Sequence, residues 1–402
     1  AESEADLQRS LAVLEVRARK WHMSFGVGAE NSAVMSFFCA ARVGSSPFML
    51  GGQALPWVSE YRYLGVRLNR TLSLVPHVRY LRNRANALFW QVCGWARRES
   101  LPLPCLLQLV SAYVVPACTY GSELLCGLPA RMAALSSVQR ELGRYLLQSA
   151  HAPNCVVQGD LGWQSWDILA LERAAGLLSR LQCAPTDRLA VRVYRYALRV
   201  PGSWCHTVQM QLVAAGIPLP SDWGLNPGAP PGLRSSYVRD CVRPALHRAD
   251  VRRWRDALSM YADTALQLYR RCVPHPIVSD VHTWRVPIRS AMAWGRLRSG
   301  SSCLGADRPA RHARASSSCV LCGAVRGDAA HCVVTCPVLS VPRDTWWRTV
   351  WPAFAGRAFP ALSSEELLLF FFAQSPTHSN YGSACAAFAF AIERAHSGSP
   401  GL

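Results

Sequence analysis

The sequence is almost without lysine and has no long apolar run. Of its 402 residues, 43 are Lys or Arg, and the one lysine is Lys20. Two long uncharged stretches are interrupted, residues 101–122 by proline and residues 374–392 by Ser, Asn, His and Gly. Neither predicts a membrane span of about 20 apolar residues. Charged residues make up 17% and hydrophobic residues 50%, which excludes wholesale disorder and permits a large core.

Motifs of several enzyme classes are also missing. No Ser-His-Asp arrangement, phosphate-cradling glycine loop or His-Glu-x-x-His motif is visible. No Asp-Asp pair occurs, and a nuclease core with Asp/Glu-x-Lys cannot follow Lys20 because no later lysine exists. A hydrolase or an unrelated helical zinc protein stays open as a hypothesis, but no motif supports it.

The net charge of +18 predicts a polyanionic partner, with nucleic acid ahead of a membrane surface. Arginine favours bidentate contacts with phosphate, although GC-rich codons would also explain arginine in place of lysine. Three arginine groups are candidate phosphate contacts. The first is Arg79, Arg82 and Arg84 beside Tyr80. The second is Arg188, Arg192, Arg195 and Arg199, which step by 4, 3 and 4 along one helical face, with a solvated face as the alternative. The third is Arg243, Arg248, Arg252, Arg253 and Arg255 beside Trp254.

Most of the 16 cysteines are scattered singly through apolar segments, where a thiol behaves as a small buried hydrophobe. This pattern predicts a reduced, intracellular protein and not a disulfide scaffold. Four residues differ from the rest, since Cys319, Cys322, His331 and Cys336 have the spacing Cys-x2-Cys-x8-His-x4-Cys. Chance would produce roughly 0.03 such arrangements in this composition. Four soft or borderline ligands with no open position predict structural zinc, although Cys332 could compete for the fourth place.

With three thiolates, a zinc site keeps a charge near −1. Positive charge for nucleic acid must therefore come from flanking arginines, and we expect Arg296 and Arg298 to contribute it.

Hydrophobic periodicity predicts a predominantly α-helical fold with a small N-terminal β element, an α+β class. The predicted strands are 33–38, 48–50, 53–55 and 61–68, with Gly51-Gly52 as a hairpin turn. The predicted helices are 5–22, 77–97, 103–114, 130–149, 165–182, 186–199, 235–272, 364–373 and 381–395. Residues 200–233 are rich in Pro and Gly and predict a linker or long loop.

An ordered set of segments resembles the C-terminal half of reverse transcriptases from non-LTR (LINE-type) retrotransposons. Residues 1–26 look like the helix that follows the polymerase's Ala-Asp-Asp strand, and NSAVMSF (31–37) is similar to the next palm segment. YRYLGVRL (61–68) resembles the strand that leads to the primer grip. VVPACTYGSELL, SVQRELGRYLL and LGW resemble the thumb and its extension, and RLRSGSSCL, CVLCGAVRGDAAHCVVTCP and Arg343 are similar to the terminal zinc knuckle.

The resemblance covers about residues 1–185 and 290–345, and together with the regions outside it we expect five segments. These are 1–75 as the C-terminal remnant of the palm, 76–185 as the helical thumb and extension, 186–287 as an Arg-rich helical region with a Pro/Gly-rich linker, 288–345 as the zinc knuckle region, and 346–402 as a helical tail.

The chain also departs from the family. Two-metal phosphoryl transfer needs carboxylates around the reacting oxygens, and the resemblance implies that these palm aspartates would precede Ala1. Asn31 stands where the family usually has a lysine. We therefore expect a fragment or a decayed copy without the catalytic metal site, and Mg²⁺ only in an intact parent polymerase. The parent would cut DNA with an N-terminal nuclease.

The expected function is nucleic-acid binding by this part of an RNA-directed DNA polymerase. The expected partners are template RNA, target DNA and RNA–DNA hybrid, with no membrane, and the expected cofactor is structural zinc. An alternative is a domesticated, non-enzymatic scaffold that binds nucleic acid or protein. The predicted location is intracellular and nuclear.

Overall fold

The computed structural model describes residues 4–37, 47–99, 101, 103–261, 264–273, 286–304, 317–354, 363–373 and 380–398. In this part of the chain the fold is predominantly α-helical with a small β element near the N-terminus, which confirms the predicted class.

The strands are β1 (Met49–Leu50), β2 (Gln53–Ala54), β3 (Glu60–Tyr63) and β4 (Val66–Asn69). The helices are α1 (Glu4–Lys20), α2 (Val75–Arg98), α3 (Leu103–Leu109), α4 (Val115–Cys118), α5 (Pro129–Leu146), α6 (Asn154–Leu161), α7 (Trp166–Cys183), α8 (Leu189–Ala197), α9 (Trp204–Ala214), α10 (Pro231–Ser236), α11 (Arg243–Ser259), α12 (Thr264–Cys272), α13 (Ile288–Arg298), α14 (Ser340–Val350), α15 (Ser364–Ala373) and α16 (Asn380–Ser397). Wide π-type turns occupy Val110–Val114, Tyr237–Val242 and His331–Thr335, and short 3₁₀ turns occupy Ser122–Leu125, Pro337–Leu339 and Trp351–Phe354.

Each pair of strands is an antiparallel hairpin that turns on two residues with positive φ. Gly51 (φ +61°) and Gly52 (φ +77°) join β1 to β2, as predicted. Leu64 (φ +47°) and Gly65 (φ +84°) join β3 to β4. The prediction of one strand over 61–68 is therefore wrong, because these two residues reverse the chain in its middle.

The predicted strand over 33–38 is also wrong in its described part. Val34 makes an isolated parallel bridge to Trp57, and residues 33–37 form no continuous strand. Residue 38 lies outside the described residues. The bridge draws Val34 into a small buried cluster that Leu7 and Leu11 of α1 cover. Its buried members are Val34, Phe48, Leu50 and Leu55.

A buried histidine joins the second hairpin to the helices. The Nδ1 of His77 in α2 accepts the N–H of Arg67 in β4 (3.4 Å), so its Nε2–H donates to the Tyr120 carbonyl (3.2 Å). The Tyr120 hydroxyl in turn donates to the Leu64 carbonyl at the hairpin tip (2.8 Å). Burial lowers the pKa of His77, which favours the neutral ring that this pattern needs. The hairpin is therefore fixed to the helical part.

The main core grows from apolar stripes on the helices. On α2, Leu81, Ala85, Phe89 and Val92 are buried and recur at helical spacing. The same buried cluster extends through the later helices to Ile392 in α16. The predicted segment boundaries stay predictions.

Several helices were not predicted from the sequence. α4, α6, α13 and α14 lie in stretches with no helix prediction. α9 and the start of α10 lie within the predicted linker 200–233, which is therefore wrong for Trp204–Ala214. The hydroxyl of Ser203 caps α9 by accepting the N–H of His206 (3.2 Å). Gly216, with φ +72°, follows its end.

Helices α5 and α6 approach closely at Gly143. A Cβ built on Gly143 would overlap the Cγ1 of Val157 and lie 3.2 Å from side-chain atoms of Leu161 and Trp163. Gly94, inside α2, offers a contrast, since a Cβ there has nothing within 4 Å.

We predict opposite effects of two Gly→Ala substitutions. Gly143→Ala should lower the free energy of unfolding by about 1–3 kcal/mol, because the added methyl forces α5 and α6 apart. Gly94→Ala should raise it by about 0.5–1 kcal/mol through helix propensity. Urea unfolding followed by circular dichroism measures both. Equal effects of the two variants would contradict the close approach of α5 and α6.

Candidate metal centre and nucleic-acid surface

A tight turn holds the first two candidate metal ligands. The N–H of Gly323 donates to the Cys319 carbonyl (2.9 Å), and the N–H of Cys319 donates to the Ala324 carbonyl (2.8 Å). Gly323 has φ +75°, a conformation that glycine adopts without strain. The chain therefore folds back on itself, and the sulfurs of Cys319 and Cys322 come together.

A wide turn supplies the other two candidate ligands. The N–H of Cys336 donates to the His331 carbonyl (2.8 Å), an i to i+5 bond that brings residues five apart to one side. The carboxylate of Asp328 accepts the N–H of His331 (2.8 Å) at the start of this turn. The spacing of His331 and Cys336 thus follows from local backbone geometry.

The structure brings all four predicted ligands together. One ligand atom from each of Cys319, Cys322, His331 and Cys336 lies within 4.8 Å of the others. The Cys322 sulfur is 3.2 Å from the His331 Nε2, and the His331 Nδ1 is 3.1 Å from the Thr335 hydroxyl. A hydrogen bond at the second ring nitrogen is typical of a histidine that binds metal, because it fixes the ring.

Burial and backbone hydrogen bonds shift the pKa values of two of the candidate thiol ligands. Burial would raise the pKa of Cys319, but the N–H groups of Cys322 and Leu321 donate to its sulfur and bring its pKa below the ordinary value. Burial raises the pKa of Cys336 to about 11. The cluster of three thiols and one imidazole can hold a metal ion, and its donor set fits the four-coordinate sites that bind zinc.

Three further residues surround this cluster. Buried Arg343 donates to the carbonyls of Val333 (2.8 Å) and Cys336 (2.7 Å). Its charge therefore lies against residues 319–336, which carry all four candidate ligands and are called the metal turn below. Cys332 and His396 form a second group with Cys319, within 4.8 Å of one another. Residue spacing could not reveal His396, because it lies in α16, more than sixty residues from the turn.

The predicted arginine row on α2 lies on the protein surface. Arg79, Arg82 and Arg84 are exposed, and Arg82 lies 3.6 Å from the Glu141 carboxylate. Arg79 and Arg84 line a groove of about 450 Å³ together with Tyr80 and other residues of α2 and the β3–β4 hairpin.

Arg67 also lines this groove, together with Glu60, whose carboxylate lies 3.6 Å from its guanidinium group. Neither Arg67 nor its cross-strand neighbour Arg62 was predicted from the sequence. Arg62 and Arg67 lie opposite each other across β3 and β4, and both guanidinium groups lie over the Tyr80 ring, at 5.5 and 5.1 Å. Like charges directly opposite in a hairpin repel each other. The cross-strand register was the missing signal, since it appears only when 61–68 is divided into two strands.

The second predicted row lies at the surface along α8. Arg188, Arg192, Arg195 and Arg199 are all exposed. Among the described residues, no carboxylate lies within 4.0 Å of any of the four. Beside them, the side chains of Leu189 and Tyr196 are also exposed, at 72% each. Buried Tyr194, in contrast, belongs to the core.

The last two predicted arginines are engaged inside the protein. Arg298 is 5% exposed and forms an ion pair with buried Asp160. This burial is incompatible with the predicted contact to nucleic acid, and Arg298 is corrected to a core residue. Arg296 forms an ion pair with Glu393 (2.6 Å) and donates to the Gln148 carbonyl (3.2 Å), which leaves it little freedom to bind phosphate.

Comparison with known proteins places part of the chain beside retrotransposon enzymes. An alignment of 123 residues, which covers 29% of this chain, is 28% identical to the RNA-directed DNA polymerase from mobile element jockey of Drosophila melanogaster. Part of this chain is similar to a retrotransposon polymerase. The matched region spans 13% of that relative's length. No family model matches the chain, and no solved structure matches it significantly.

Two further observations concern thiols and membranes. No disulfide bond joins two cysteines within the described part of the chain. No helix in that same part is both long and apolar enough to cross a bilayer.

We predict that Cys322→Ser lowers bound zinc by one equivalent per chain, because a hydroxyl is a poor zinc ligand at this position. It should also increase hydrogen exchange in residues 317–340, since metal binding supplies folding free energy to a small turn. Metal analysis after purification with Zn²⁺ measures the first effect. The control is half-buried Cys241→Ser, which should keep the full zinc content. Unchanged zinc in Cys322→Ser would exclude this ligand set.

Proposed function

We propose that this chain is a nucleic-acid-binding C-terminal part of a LINE-type RNA-directed DNA polymerase. In this role it holds template RNA and target DNA, including their hybrid, and the catalytic aspartates lie outside this chain. The likeness to the jockey polymerase carries the proposal, because it comes from the same class of element that the ordered motifs resemble.

The charge distribution supports binding through phosphates. Arg192 and Arg195 lie on α8, and Arg188 and Arg199 lie directly before it and just after it. One DNA strand carries a phosphate about every 3.4 Å of duplex axis, so such a row matches several phosphates. Because these guanidinium groups have no carboxylate neighbour among the described residues, a polyanion relieves their mutual repulsion.

Exposed aromatic and apolar side chains favour unpaired strands on this surface. Tyr196 is exposed beside the row, where a base can stack on its ring. The groove at Tyr80, with Arg62 and Arg67 over the ring, is a second place for backbone phosphates. The two surfaces together supply contacts that read charge and shape and not sequence.

The proposed metal is structural zinc held by Cys319, Cys322, His331 and Cys336. Zinc has no catalytic role in nucleotide addition here, because protein ligands occupy all four of its coordination positions. It stabilises the fold of residues 317–340. The proposed location is the nucleus, because the proposed target DNA lies there.

We predict a steep salt dependence of binding to single-stranded RNA. The double variant Arg192→Ala/Arg195→Ala should reduce the slope of log Kd against log salt by about 1.4, because two phosphate contacts are lost. Fluorescence anisotropy with a labelled RNA at several salt concentrations measures the slope.

A matched control removes the same charge from paired arginines. Arg239→Ala/Arg243→Ala deletes two exposed guanidinium groups that already pair with Asp240 and Glu172. This control should change the slope much less than the α8 variant does. Equal slopes for the two variants would mean that net charge, and not the α8 row, determines binding.

We also predict that the chain binds a primed RNA template but incorporates no nucleotide. Two-metal catalysis needs paired carboxylates, and no Asp-Asp pair occurs in the sequence. Primer extension with Mg²⁺ and deoxynucleotides tests this, with an active reverse transcriptase as positive control. Extension by this chain alone would refute the proposal that the catalytic site lies elsewhere.

A further inference from the structure

The metal turn has a second contact on the far side of Cys319. There the sulfur of Cys332 is 3.7 Å from the Nε2 of His396, and the sulfur of Cys319 is 4.0 Å from the same nitrogen. All three side chains are buried, and His396 is 6% exposed. The contact therefore joins the turn to the last helical turn of α16, away from solvent.

The hydrogen bonds of His396 determine which ring nitrogen carries the proton. Its Nδ1 lies 2.8 Å from the carbonyl oxygen of Ile392. A carbonyl only accepts, so Nδ1 carries the hydrogen and the neutral ring presents a lone pair at Nε2. The nearest described sulfur is that of Cys332. The thiol of Cys332 can therefore donate its S–H to His396.

We propose that Cys332 and His396 support the zinc centre from outside its ligand set, with the Cys332 thiol donating to the His396 imidazole. Cys332 is thereby kept from displacing a ligand, and Cys319 stays in place as a zinc ligand. The inference rests on the zinc centre of the proposed function. His396 is a positioning residue, since it acts through Cys332 and Cys319.

A consequence is that α16 depends on the metal. α16 packs against α13 and α14, which flank the turn. Its attachment at His396 adds a polar contact to this packing. Removal of zinc should therefore loosen residues 380–398 as well as the turn.

The test compares zinc affinity in His396→Ala, His396→Gln and the wild type, by competition with a chromophoric chelator. The wild type must first bind one equivalent of zinc, and failure of that step would count against the zinc centre itself. His396→Ala should still bind one equivalent, but about 10–100-fold more weakly. His396→Gln should recover most of the affinity, because its amide oxygen can accept the thiol proton. Exposed His247→Ala, on α11, should have no effect.

Two further readouts separate positioning from ligation and from folding. With Co²⁺ in place of zinc, His396→Ala should keep the sulfur-to-cobalt absorption and the tetrahedral bands, since no ligand is lost. If His396→Ala does not fold, two other measurements replace it. The zinc affinity of Cys332→Ala should be weakened in the same way. Hydrogen exchange of wild-type α16 should be faster with chelator than without it.

Three outcomes would overturn the inference. The first is two equivalents of zinc in the wild type, with the second lost in His396→Ala, which would make Cys319, Cys332 and His396 a second metal site. The second is an altered cobalt ligand field in His396→Ala. The third is unchanged zinc affinity in His396→Ala.

Discussion

The chain has 43 basic and 25 acidic side chains, so its carboxylates cannot neutralise all its arginines. Several acids pair with arginine inside the fold, where an unpaired charge would be most costly. Asp160 pairs with Arg298, and Glu393 pairs with Arg296. The arginines of the α8 row lie at the surface without such partners. This division, more than the total charge, determines which guanidinium groups can meet a polyanion.

The pair of Asp160 and Arg298 shows how one buried carboxylate organises three helices. Asp160 in α6 accepts from Arg298 at the end of α13 and from the hydroxyl of Tyr269 in α12 (2.9 Å). The Arg298 guanidinium also lies 4.3 Å from the centroid of the Trp294 ring. Removing one partner would leave the other charge buried and unpaired, so the cluster tolerates loss of neither. The C-terminal end of α13 is held in place here.

Local patterns were sufficient for part of the fold and for the metal cluster. The Gly51-Gly52 hairpin, the long helices and the four ligands from Cys319 to Cys336 all depend on residues close in sequence. Contacts between distant segments could not be predicted in this way. Arg298 looks like a charged helix end until Asp160 is brought to it, 138 residues earlier in the chain. α9 was missed because flanking Pro and Gly residues resembled those of a linker, whereas its start depends on one serine cap.

The docked hairpin has a consequence for the groove at Tyr80. Because His77 and Tyr120 fix the β3–β4 hairpin to α2, the two arginines of the hairpin keep a set distance from those of the helix. A ligand that enters this groove meets arginine side chains whose backbone is already held in position by these hydrogen bonds. Less conformational entropy is lost on association than with arginines on a free loop, so the same number of ionic contacts yields tighter association.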